Sequence, residues 1–83
     1  MRDLASRRAA QAAFRVLVVD DDPDMAGFLA LLLAQQGMHA DTAADGQAAL
    51  EMIAAAPPDM VLLEVQMPGL SGFEVARRLL ERE

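Results

Sequence analysis

Eighty-three residues are enough for one small domain, and a core of that size is thin unless something staples it. Cysteine is absent, so neither a disulfide nor a thiolate-bound metal can do so. A net charge of −6 argues against the clustered positive face that nucleic-acid phosphates need. No apolar run approaches the ~18 residues of a membrane span. The expectation is a cytoplasmic chain with neither nucleic acid nor a membrane as partner.

Residues 1–13 (MRDLASRRAAQAA) read as an N-terminal leader, flexible or helical, because only Leu4 and alanines could form an apolar face. Phe14–Val19 then forms a short β-branched run with almost no polar alternation, the pattern of a strand covered on both faces. Asp22-Pro23 starts a helix, with Asp as N-cap and Pro at the first helical position. Met25, Phe28, Leu29, Leu32 and Leu33 follow at helical spacing and predict one stripe toward a core, and Gly37 is the expected stop.

A second strand is predicted over Met38–Ala43. Asp45-Gly46 opens a second helix that carries Ala49, Leu50 and Ile53 and ends before Pro57-Pro58. Met60–Val65 is a third apolar strand, and Met67-Pro68-Gly69 a turn. Ser71 and Glu74 have the spacing of a capping box ahead of a last helix with Phe73, Val75, Ala76, Leu79 and Leu80. The order β-α-β-α-β-α implies an α/β fold: right-handed crossovers and a parallel sheet with helices on both faces. Residues 14–83 form one domain.

In open sheets of this kind, ligands bind beyond the carboxyl ends of the strands. Asp20 and Asp21 follow the first strand and Glu64 closes the third. If those strands are neighbours, three carboxylates converge, and such a cluster needs a cation or protons to compensate it. Hard oxygen donors with retained waters suit Mg²⁺. Acids ahead of a helix also stabilise its N-terminus, which accounts for Asp22 and Asp24 and stands as an alternative for Asp20 and Asp21. Glu64 differs, since an acid in an apolar strand is unfavourable unless it reaches water or a partner.

Three segments together carry a family resemblance. Val16-Leu17-Val18-Val19-Asp20-Asp21-Asp22-Pro23, then Ala44-Asp45-Gly46-x-x-Ala49-Leu50, then Pro58-Asp59-Met60-Val61-Leu62-Leu63-Glu64-Val65-Gln66-Met67-Pro68-Gly69-x-x-Gly72-Phe73-Glu74 resemble consecutive motifs of bacterial response-regulator receiver domains. The resemblance implies a flavodoxin-like parallel sheet, incomplete here, lacking the last two strand–helix units of the family. It implies that Asp20 and Asp21 bind Mg²⁺ together with the backbone carbonyl of Gln66, and that Met67, Pro68 and Gly69 shape the crevice. Glu64 stands at the position of the family's phospho-accepting aspartate, one methylene longer. The family's missing units carry a switch hydroxyl and a lysine, and this chain has no lysine: all seven basic residues are arginines.

The expectation is therefore a receiver-like signalling module of a two-component phosphorelay. It would be no enzyme, acting by protein–protein interaction with a histidine kinase or another two-component protein. The alternatives are a Mg²⁺-dependent phosphoryl acceptor that uses Glu64, and a piece of a larger regulator with no activity of its own. The third strand would be an apolar edge, and self-association through it is expected.

Overall fold

A computed structural model describes residues 14–81, so the leader expected at 1–13 lies outside the described residues. The elements are β1 (Arg15–Val19), α1 (Pro23–Gln35), β2 (His39–Ala43), α2 (Gly46–Ala55), β3 (Met60–Leu63) and α3 (Gly72–Glu81). β1 lies between β2 and β3, and both pairings are parallel. Val19 is in register with Ala43 on one side and Leu63 on the other. The β-α-β-α-β-α arrangement read from the sequence is the one found.

Successive strand residues point to opposite faces, and β1 uses both. Val16 and Val18 pack with Ala26, Leu29 and Leu33 of α1. Leu17 and Val19 pack with Ala49 and Ile53 of α2, with Met67, and with Leu79 of α3. The unbroken apolar run of β1 is thus explained by a helix layer on each side.

Local signals end the helices. The Asp22 carboxylate accepts the N–H groups of Asp24 (3.0 Å) and Met25 (3.4 Å), with Pro23 in the first helical turn. At the other end Gly37, at φ +86°, donates to the Ala34 carbonyl while Met38 donates to that of Leu33. Those two bonds close the helix as a left-handed glycine allows. Asp45 caps α2 through the Ala48 N–H at 2.7 Å. In α3 the Ser71 hydroxyl accepts the Glu74 N–H at 3.2 Å, but only this half of the capping box forms. The Glu74 carboxylate instead takes charge-assisted hydrogen bonds from Arg77 and Arg78, which are stronger than one to a neutral amide.

Two further expectations are corrected. β3 ends at Leu63 rather than Val65: Glu64 still donates its N–H to the Val19 carbonyl at 2.9 Å, but the chain then turns and leaves Glu64 and Val65 exposed. On α1 the expected stripe is wider than its cover. Ala26 is buried and Leu29 and Leu33 are half-buried, whereas Met25, Phe28 and Leu32 are exposed, Phe28 by 57%. α1 packs chiefly on β2 and β1, with Leu62 of β3 also against its buried cluster, and its shoulder of Met25, Phe28 and Leu32 stays exposed. No helix among them is long and apolar enough to cross a membrane.

Candidate functional site

The parallel register brings the acids to one end of the sheet. Val19 pairs with Leu63, so the next residue of each strand, Asp20 and Glu64, emerges at the carboxyl end of neighbouring strands. The Asp20 N–H donates to the Ala43 carbonyl at 3.1 Å, which anchors the turn out of β1 to β2. A groove of about 350 Å³ runs there, lined by Val18, Asp20, Leu29, Leu62, Glu64 and Val65 among others.

Asp20 is only 8% exposed. Its Oδ1 accepts the N–H of Asp22 at 2.9 Å, and no donor among the described residues is placed against its other oxygen. Asp21 is exposed. Asp22 caps α1 and Asp24 lies in that helix's first turn, as the sequence predicts for both.

Glu64 behaves differently from its expected role in a three-carboxylate cluster. Its Oε1 accepts the N–H of Val65 at 2.8 Å and that of Gln66 at 3.4 Å. No group of three His, Cys, Asp or Glu side chains among the described residues is placed to hold a metal ion. The carboxylate is satisfied instead by the next two amides of its own loop.

The rest of the loop divides into an anchor and a turn. Met67 is 8% exposed and joins the core cluster of Ala49 and Ile53. Gln66 and Pro68 are exposed, and exposed Gly69 takes φ +76°. Two glycines that the sequence reading placed in the motifs without a packing role hold this loop in place. A Cβ on Gly46 would lie 2.7 Å from the Leu70 carbonyl oxygen and 2.7 Å from Cγ2 of Val75, and one on Gly72 would lie 2.2 Å from the Glu64 carbonyl oxygen. The signal was there: glycine opens both helices, although it costs a helix interior about 1 kcal/mol relative to alanine. A close approach offsets that cost.

The donor set fits a small, hard cation that keeps part of its water shell. It consists of the buried Asp20 carboxylate with one oxygen left over and the adjacent, exposed Asp21, with the Glu64 carboxylate held by its own loop.

Comparison with known proteins bears on what such a crevice does. Residues 16–83 match the response regulator receiver domain family. Transcriptional regulatory protein TcrA of Mycobacterium tuberculosis is 45% identical over 65 residues, 78% of this chain and 26% of TcrA. Response regulator protein TrrA of Thermotoga maritima, solved in complex with Mg(2+)-BeF, is similar at a TM-score of 0.80 and 39% identity, covering 83% of this chain and 60% of TrrA. TrrA solved in complex with histidine kinase ThkA gives a TM-score of 0.79 at the same identity and coverage. The chain thus spans about a quarter of TcrA's length and carries three parallel strands of the flavodoxin-like sheet. The matched residues run from the second residue of β1 through α3 and include Asp20, Asp21 and Glu64, and the chain belongs to the response regulator receiver domain family of two-component signalling systems.

Proposed function

We propose that this chain is a degenerate receiver module that signals by contact with a histidine kinase or another two-component protein and does not accept a phosphoryl group. One observation carries the reading. The carboxylate at the family's acceptor position, Glu64, is hydrogen-bonded to the amides of its own loop. An acceptor must present an oxygen in line with its donor, and a displacement of about 1 Å can lower such a rate by on the order of 10²-fold. That TrrA was solved with the kinase ThkA supports a kinase as the partner.

Asp20 and Asp21 with the Gln66 carbonyl would hold Mg²⁺, whose charge offsets that of phosphoryl oxygens in this family. With Glu64 turned onto its loop, that binding is weak.

Incubation with a small phosphodonor and Mg²⁺, followed by intact-mass measurement, tests the central claim. The expected spectrum shows no phosphoryl adduct, while binding to purified histidine kinases of the same cell persists. An adduct that disappears in Glu64→Gln would make Glu64 the acceptor and replace this reading. Loss of all kinase binding would remove its other half.

A second reading concerns assembly. Among the described residues β3 has a sheet neighbour on one side only, and its Met60 is 46% exposed. An apolar strand edge of this kind pairs readily with another chain, and a second copy is the partner we assign to it.

A further inference from the structure

Glu64 is tied to helix α3 by a contact that no side chain could replace. Gly72, the first residue of α3, is buried, and its N–H donates to the Val65 carbonyl at 2.9 Å. A Cβ there would stand 2.2 Å from the Glu64 carbonyl oxygen and 2.9 Å from both the Glu64 carbonyl carbon and the Val65 Cα. The backbone of Gly72 therefore lies directly on the peptide that joins Glu64 to Val65. That peptide is planar and stiff, and its other end is the Val65 N–H that the Glu64 carboxylate holds at 2.8 Å. One peptide group thus has the side chain of Glu64 on one edge and the start of α3 against the other.

Beyond Gly72 the path continues without slack. Ser71 fixes the first turn of α3 twice, its hydroxyl accepting the Glu74 N–H and its carbonyl accepting the Val75 N–H at 3.0 Å. Val75 is fully buried, and its Cγ2 touches the start of α2 at Gly46, where the Leu70 carbonyl also closes in. Close-packed contacts of this kind transmit a displacement instead of absorbing it. On the outer side of the same helix, Phe73 and Leu80 are each 73% exposed and lie seven residues apart on one face.

We infer that Gly72 is a positioning residue that couples the side chain of Glu64 to α3, so that release of the Glu64 carboxylate from the Val65 N–H shifts the helix that carries Phe73 and Leu80. The inference rests on reading Glu64 as the signalling position, yet it needs neither a cation nor a kinase. Asp20 and the α1 shoulder take no part in the hydrogen bonds and close approaches of this path.

The test compares ¹H–¹⁵N correlation spectra of the full chain as wild type, Glu64→Gln and Glu64→Ala. Gly72→Ala risks disrupting the loop outright, so the decisive variants are at Glu64, whose side chain is exposed. Glu64→Ala is expected to shift the amides of Val65 and Gln66 and, beyond them, those of Phe73, Val75 and Ala76, while Phe28 on α1 stays in place. Glu64→Gln keeps an acceptor oxygen and is expected to shift the α3 amides less. Hydrogen exchange supplies an independent readout, with the Gly72 and Val75 amides exchanging at least about tenfold faster in Glu64→Ala. Shifts confined to residues 64–66, with α3 amides and their exchange unchanged, would overturn the coupling. That outcome would leave the phosphodonor experiment untouched, so the two failures are distinguishable.

Discussion

Asp20 combines a structural bond with a chemical opportunity, and the two can be separated by substitution. Its Oδ1 holds the Asp22 N–H, while the charge itself is buried with no cationic side chain among its hydrogen-bond partners. Asp20→Asn, which keeps an acceptor oxygen and removes the charge, is expected to leave stability within about 1 kcal/mol of wild type. Any Mg²⁺-induced shift in the amide spectrum is expected to vanish with it. Asp20→Ala loses the bond as well and is expected to destabilise by roughly 1–3 kcal/mol, read by urea unfolding. Gly46→Ala tests a different kind of residue. Its Cβ would meet the Leu70 carbonyl and Val75 at 2.7 Å each, and overpacking of that sort costs about 1–3 kcal/mol. The same unfolding experiment checks it, and a neutral result would show that Leu70 can yield.

At the scale of elements, what the sequence made legible follows from how local each signal is. Asp22, Asp45 and Ser71 cap helices through their own neighbours, so residue spacing was sufficient to find them. Asp22→Ala is expected to cost about 1 kcal/mol in thermal or urea unfolding. Coverage of the helices was not legible, because it depends on what packs against them: Phe28 and Leu32 satisfy the same periodicity as Leu29 and Leu33 yet face solvent. The orientation of Glu64 was hidden for a related reason, since its partners are loop amides whose direction only the fold determines. Helix α3 adds a pH dependence of its own. Hydrogen bonds from Arg77 and then Arg78 hold the Glu74 carboxyl below the usual carboxylate range. A depressed folded value means that this support is present above the ordinary glutamate pKa of about 4.3 and fades as pH falls through the lower folded one. Helicity of the chain followed by circular dichroism is therefore expected to drop on acidification below about pH 4, with Glu74→Gln showing less of that dependence.

For the whole molecule, β3 pairs only with β1 among the described residues, and a groove lies on each face of the sheet beside it. On the α1 side Leu62 shares a groove with Leu29, and on the α3 side Met60 and Val61 share one with Leu79. Further apolar side chains are exposed on the same helices, Phe28 and Leu32 on α1 and Leu80 on α3. Anything that covers this edge must offer a strand flanked by apolar helices on both faces, and a second copy does so by two-fold symmetry, each β3 pairing with the other. Burying one large apolar side chain contributes about 1.5–3 kcal/mol, so a few such contacts could sustain association. Opposing it is a net charge of −6 on each chain. That repulsion is screened over a Debye length of about 10 Å at 0.1 M salt, while apolar burial is not weakened by salt. Sedimentation of the full chain is therefore expected to show a mass above the monomer that grows with protein concentration and with added sodium chloride. Met60→Lys places a charge on the exposed edge, the means by which natural edge strands avoid pairing, and is expected to return the monomer. A monodisperse monomer that melts cooperatively at every salt concentration would mean that the edge is stable uncovered. In that case the exposed side chains of α1 and α3 would need an explanation other than a second copy.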